Sequence, residues 1–164
     1  MKVIFLDIDG VCNNHHSRSR CQGYIGIDDD KVVLLKQIAD ATDAKIVLSS
    51  TWRLGYNKQG HHLEKMAEYL KKKFAKQGLS VYDVTPDFKH MGWKRGEEIL
   101  DWLVKHPDVE KYVILDDEDY DFRYIGPEIT DHWVQTEYYS KDGGLQPEHV
   151  EKAIKILNGE VDKG

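Results

Sequence analysis

The chain has 164 residues, of which 40% are hydrophobic and 32% charged, a globular balance that excludes a disordered polyelectrolyte. That length fits a single domain, residues 1–164, able to bury one sizeable core. With 23 basic against 29 acidic residues the net charge is −6, which argues against a surface that wraps duplex nucleic acid but leaves room for a local basic pocket. Two cysteines and no apolar stretch of export-signal or membrane-spanning length predict a reduced, cytoplasmic protein without a disulfide framework and without a membrane contact.

In chain order, the first predicted strand is Lys2–Leu6 (KVIFL), which runs into Asp7-Ile8-Asp9-Gly10-Val11. Residues 12–27 precede the first helix and are read as a flap over whatever lies at the strand end. That helix carries Val32, Leu35, Ala39 and Thr42 on one face behind Asp28-Asp29-Asp30, acids that suit a helix N-terminus. The second strand, Lys45–Leu48, ends in Ser49-Ser50-Thr51-Trp52-Arg53, and a helix follows on Leu63, Met66, Ala67, Leu70 and Phe74. The third strand, Ser80–Val84, is weak because Asp83 interrupts it. Lys94-Arg95 opens the next helix, which carries Ile99, Trp102 and Leu103 and stops near His106-Pro107. The fourth strand, Lys111–Leu115, runs into Asp116-Asp117-Glu118-Asp119. The fifth is His132–Gln135, and a last helix carries Val150, Ala153, Ile154 and Leu157. Strands alternating with helices predict an α/β fold, a Rossmann-like three-layer sandwich around a parallel five-strand sheet of order 3-2-1-4-5.

Ligands of such sheets sit beyond the carboxyl ends of the strands. The residues there are two carboxylates spaced by two, a hydroxyl cluster, a cation and a second acidic pair. Carboxylates, a hard divalent cation and donors for phosphate oxygens are the parts that phosphoryl transfer requires. Each feature alone has a duller reading: a turn at Asp9-Gly10, capping by Ser49-Ser50-Thr51, a solvated acidic loop at 116–121. Their recurrence at successive strand ends outweighs those readings.

Asp7-Ile8-Asp9-Gly10-Val11, the run ending in Ser49, the basic Lys94 and the run ending in Asp116-Asp117 resemble the four motifs of the haloacid dehalogenase-like (HAD) hydrolases. The resemblance spans roughly residues 2 to 120. Ser49-Ser50-Thr51-Trp52-Arg53 and Arg95-Gly96-Glu97-Glu98-Ile99 further resemble the small phosphatase-like domains of RNA-repair proteins, relatives of the phosphatase half of polynucleotide kinase-phosphatases. The resemblance implies Asp7 as nucleophile, Asp9 as acid and base, Ser49 on a phosphate oxygen with Ser50 or Thr51 as substitutes, and Lys94 as the neutralising cation with Arg95 as its rival. It implies Mg²⁺ held by Asp7, the Asp9 carbonyl, Asp116 and Asp117, either of the last two being the direct ligand. Ser50, Arg53 and Arg95 are the expected substrate-binding residues.

Neither interval where this superfamily inserts a cap, residues 12–27 and 54–93, has length to spare, so the site is expected to be open. An open site suits a phosphate on a nucleotide or polynucleotide end, although the acidic net charge opposes strong polynucleotide affinity. No obligate protein partner is implied. A phospho-receiver or non-catalytic phosphate-binding domain is the alternative, but receivers normally carry the phosphoacceptor after a middle strand. Cys12, His15, His16 and Cys21 match no zinc spacing, and His15 to Arg20 read as flap residues near substrate. His61-His62 reads as an exposed helix start; Trp52, Trp93, Trp102 and Trp133 read as packing.

Overall fold

The computed structural model describes residues 1–57, 60–89 and 93–160. Its core is a parallel five-strand sheet of β1 (Lys2–Leu6), β4 (Lys45–Leu48), β5 (Val81–Val84), β6 (Lys111–Asp116) and β7 (Trp133–Gln135) in the order β5-β4-β1-β6-β7. This is the 3-2-1-4-5 order expected from the alternating pattern. The third and fifth strands begin one residue later than their apolar runs, and the fourth extends one residue further, through Asp116. Two-residue strands β2 (Arg20–Cys21) and β3 (Tyr24–Ile25) form a separate hairpin between β1 and the first helix. The interval 12–27, read as a flap, contains this hairpin. Within 54–93, residues 58, 59 and 90–92 lie outside the described residues, and the rest is helix, strand and connections.

Side chains alternate across a strand, so a strand buried on both faces must be apolar throughout. On β1, Ile4 and Leu6 join one core with Val32, Leu35, Leu70, Phe74 and Leu157, from α1 (Asp29–Thr42), α2 (His61–Ala75) and α6 (Pro147–Leu157). Val3 and Phe5 join the opposite core with Ile99, Trp102, Phe122 and Ile129. Those come from α3 (Arg95–Val104) and the short helices α4 (Phe122–Ile125) and α5 (Pro127–Thr130). The result is three layers. Among the described residues no helix is long and apolar enough to cross a membrane.

Asp83 is tolerated in β5 because that strand is an edge and its carboxylate accepts the Trp102 indole N–H at 2.9 Å. Trp102 and Trp133 pack as expected, but Trp93 does not: it is 73% exposed, just before α3. His61 and His62 are exposed at the start of α2.

Register decides which strand-end residues become neighbours. Leu6 of β1 is level with Leu48 of β4 on one side and Leu115 of β6 on the other. Asp7, Ser49 and Asp116, each one residue further, thus end up in one row, tied by Ser49 N–H to the Leu6 carbonyl and Asp7 N–H to the Leu115 carbonyl, both at 3.0 Å. Their parity is that of Phe5, Val47 and Ile114, which face the α3 layer.

Phe5 is fully buried, edge-on to Trp102 at 5.5 Å and to Tyr112 at 6.0 Å. Phe5→Ala removes that packing and leaves a cavity; the expected loss is about 3–5 kcal/mol of unfolding free energy in urea denaturation.

Candidate active site

The chain turns sharply after β1. Val11 and Cys12 N–H both reach the Ile8 carbonyl, and Gly10 has φ +91°, a left-handed conformation that a side chain would strain. A Cβ on Gly10 would also lie 2.7 Å from Asp117 Cβ, so its absence lets Asp117 close in from β6. Asn13, fully buried, fixes the turn: its Oδ1 accepts the Gly10 N–H at 2.9 Å, and its Nδ2 donates to Asp9 Oδ1 at 2.9 Å and to the Gly26 carbonyl at 2.7 Å. Asp9 Oδ2 accepts the Trp52 indole N–H at 3.2 Å.

Arg95, the first residue of α3, is buried and placed against the acids. Its Nη1 is 3.2 Å from Asp7 Oδ1 and 2.9 Å from Asp116 Oδ2, and donates to Tyr120 Oη at 2.8 Å. The Tyr120 ring lies 4.2 Å from the guanidinium carbon. Burial alone would lower the pKa of Arg95, but Asp7 and Asp116 more than offset it and hold the charge on. Lys94 does not share this position. Its side chain is 42% exposed and pairs with Glu97 at 3.3 Å. The helix start explains the choice. Asp121, from the loop after β6, accepts the N–H groups of Gly96 at 2.7 Å and Glu97 at 3.2 Å, capping α3 from outside its own sequence. With that turn clamped to the β6 loop, residue 95 faces the acids and residue 94 lies outside the helix.

Arg53 departs from the expected substrate contact. It is 4% exposed; its Nη1 donates to the carbonyls of Ser49 and Ser50, and its Nη2 pairs with Glu98 Oε2 at 2.9 Å. Glu98 also accepts the Phe88 N–H at 2.8 Å. Arg53 is a strut between the ends of β4 and β5 and helix α3. Ser50 is inward too, its hydroxyl accepting the Trp52 N–H at 3.2 Å as a cap for the 3-10 segment Thr51–Asn57. Ser49 Oγ is fully buried and has no hydrogen-bond partner among the described residues. Thr51 is exposed and lines the cleft.

That cleft holds about 240 Å³ and is lined by Asp7, Asp9, Thr51, Arg95, Asp117, Tyr120 and Tyr138, among others. Carboxylate oxygens of Asp7, Asp116 and Asp117 lie within 4.8 Å of one another, the only such group of three or more candidate ligands among the described residues. Cys12, His15, His16 and Cys21 do not come together as such a group. Hard oxygens in that number suit Mg²⁺. Both Asp116 oxygens are engaged, by Arg95 and by the Glu118 N–H, whereas Asp117 bonds its fellow acid Asp7. The Asp9 carboxylate stands apart, on Asn13 and Trp52.

Crowding shows in the titration of these groups. Burial first, and then the Asp7 charge, push Asp116 up, while Arg95 works against them. Asp117 is pushed up to about 7 by burial, by the Asp7 charge and by a hydrogen bond with Asp7. Asp9 is raised by burial and, further down, by Asp7, against the lowering pull of Asn13 and Trp52. An upward shift moves a carboxyl toward the range in which a general acid works.

Sequence reasoning missed Asn13, Tyr120, Asp121, Tyr138 and the polar role of Trp52. Asn13 alone left a local signal, an amide three residues past a turn glycine. The others act across long sequence separations.

Two measurements check this geometry. Arg53→Met leaves Glu98 buried without its cation, on the Phe88 N–H alone, and is expected to cost about 3–5 kcal/mol in denaturant unfolding. Asp117 is the pH-sensitive member: a carboxyl with a folded pKa of about 7 binds more protons folded than unfolded between its ordinary value and 7. Its stabilising effect is complete at acid pH and lost as pH rises through about 7. In chelator, Asp117→Asn should therefore gain in stability relative to the parent between about pH 4 and pH 7, read from urea midpoints at each pH.

The family described as the HAD domain in Swiss Army Knife RNA repair proteins matches residues 3–150. No curated protein matches the chain. The match runs from β1 into α6 and takes in the whole sheet, the strand-end row and both arginines, and it gives the chain a HAD-like, hydrolase-type framework. The chain belongs to that family of HAD domains.

Proposed function

We propose that the protein is a Mg²⁺-dependent phosphatase that works through a phosphoaspartyl intermediate on Asp7, acting on a nucleotide or polynucleotide end phosphate. The observation that carries this reading is the row Asp7, Ser49 and Asp116. One buried guanidinium closes it, and Asp9 stands beside it with its own hydrogen-bond partners.

Asp7 supplies the attacking carboxylate oxygen. As that oxygen bonds to phosphorus, the bond to the leaving oxygen breaks and its electron pair stays on that oxygen, which takes the proton of Asp9. In the second half Asp9, now a carboxylate, takes a proton from water as the water oxygen attacks phosphorus. The acyl phosphate bond breaks, releasing inorganic phosphate and restoring Asp7. Arg95 balances the charge of Asp7 and of the phosphoryl oxygens, and Ser49 Oγ offers a donor in a dry setting. Mg²⁺ held by Asp7, Asp116 and Asp117 would supply further charge neutralisation at the phosphoryl group. Asn13 and Trp52 hold Asp9 at the angle that the proton transfers need.

A phosphate-binding or receiver domain would also gather acids, a hydroxyl and a cation. It has no use for a raised carboxyl held by two donors next to the acceptor, and that feature favours turnover.

The test is a phosphoenzyme assay with Mg²⁺ and an activated aryl phosphate. Asp7→Asn should form no phosphoenzyme and lose turnover to background. Asp9→Asn should still be phosphorylated by the aryl ester, accumulate the phosphoenzyme, and turn over about 10²–10⁴-fold more slowly. Substantial turnover by Asp7→Asn would refute covalent catalysis at Asp7. A parent that binds phosphate and Mg²⁺ but hydrolyses nothing would put the binding domain first.

A further inference from the structure

Beside the acid cleft lies a second cavity of about 430 Å³, lined by Arg20, Tyr24 and Ile25 of the hairpin, by Thr51, Trp52 and Met66, and by Asp9 and Tyr138. Asp9, Thr51 and Tyr138 line both spaces, whereas Asp7 and Arg95 line only the first. A phosphate seated over Asp7 thus has the proton donor on the side of the second cavity, and the group that leaves with that proton extends into it.

We propose that this cavity is the leaving-group pocket and that its occupant is a nucleoside, whose planar base stacks on Tyr24 in a space that Tyr138 and Arg20 also line. The proposal rests on the phosphatase reading of the acid cleft. The lining chemistry selects the occupant. Its volume is that of a small-molecule site, and its walls divide between flat or apolar groups, Tyr24, Ile25, Trp52, Met66 and Tyr138, and the polar groups of Asp9, Arg20 and Thr51. A sugar phosphate would use only the polar part of that lining. A base brings a π-face, and its ribose brings hydroxyls within reach of Thr51 and Arg20. Tyr24 is 63% exposed, a large aromatic surface left to water on a two-residue strand. Among the described residues its ring meets only that of His62, at 5.5 Å and 63°.

The hairpin is held firmly enough to present that ring. Ser17 and Ser19 hydroxyls donate to Asp28, Gly26 N–H bonds the Ser19 carbonyl, and Arg20 Nη1 bonds the carbonyls of Ser17 and Ser19. From the other side Tyr69 Oη of α2 accepts the Ile27 N–H at 3.1 Å. Asn13 joins the two halves of the device, since one amide nitrogen bonds both Asp9 and the Gly26 carbonyl. The hairpin that meets the base and the acid that protonates the leaving oxygen share one fixed support.

The experiment compares kcat/KM for nucleoside monophosphates with that for acetyl phosphate, which carries no base, in the parent, Tyr24→Ala and Tyr24→Phe. Stacking of one base on an aromatic ring predicts that the nucleotide-to-acetyl-phosphate ratio falls about fivefold or more in Tyr24→Ala. The ratio should hold in Tyr24→Phe, which keeps the ring. A smaller fall in Tyr24→Ala, or an equal one in Tyr24→Phe, overturns the pocket and leaves the phosphatase reading standing. A parent that hydrolyses no phosphomonoester sinks that reading instead. The pocket is then judged by titrating the parent with adenosine, followed by protein NMR. Saturable binding that weakens about fivefold or more in Tyr24→Ala supports the pocket, and no saturable binding, or a smaller loss, overturns it.

Discussion

A single buried guanidinium, that of Arg95, lies among the acids at the ends of the two central strands, and the arrangement around it follows from accommodating its charge. Taking a cation and two carboxylates out of water costs several kcal/mol per ion, which mutual attraction offsets only in good geometry. The geometry comes from register: Leu6 level with Leu115 puts Asp7 and Asp116 side by side. Arg95 meets both from the layer their parity faces, with the Tyr120 hydroxyl bonding Nη1 and the Tyr120 ring against the guanidinium. Such a cluster is a weak stabiliser, since well-packed apolar residues would serve as well. Its presence is better understood as the electrostatic preparation of a site that handles anions.

Docking of α3 depends on the same corner. Asp121 caps the first turn of the helix, and Gly96 leaves room for that cap, because a Cβ there would lie 2.8 Å from Asp121 Oδ1. At the far side of that turn Glu98 takes Arg53 and the Phe88 N–H. One turn of helix thereby ties together the loops after β4, β5 and β6. The two buried arginines look alike in the sequence yet differ in kind. Arg53 turns its two terminal nitrogens to protein carbonyls and to Glu98, with Asp87 at 3.8 Å, all of them groups of the scaffold. Arg95 reaches the cleft and pairs with the carboxylates that line it.

Asp9 shows how environment separates two carboxylates spaced by two. Asp7 follows the strand direction into the row under Arg95. Asp9 is turned away by the bend at Gly10 and held by Asn13 and Trp52, partly buried and without a cation in contact. Burial raises it, so one short segment presents to the same cleft one carboxylate paired with a cation and one whose pKa is pushed upward.

The order of strands and helices, the strand-end position of Asp7, Asp9, Ser49 and Asp116, and the family resemblance were legible in the chain. Two-sided burial and helical periodicity are local patterns, and in a parallel sheet chemistry collects at one edge. Which of two adjacent cations turns inward was not. Lys94 and Arg95 differ by one position, and the cap that decides between them comes from Asp121, 25 residues away from Gly96. Nor could the sequence distinguish a substrate arginine from a strut, since Arg53 and Glu98 are 45 residues apart. Trp52 read as packing because its ring is buried, and only the tertiary structure aims its N–H at Asp9. The sequence by itself determined the layers, the strand ends and the residue types delivered there, because burial and periodicity act along the chain. The tertiary structure decided which neighbour turns inward, which charge the scaffold takes up and where the flap hairpin stands, because those depend on partners that meet only once the chain has folded.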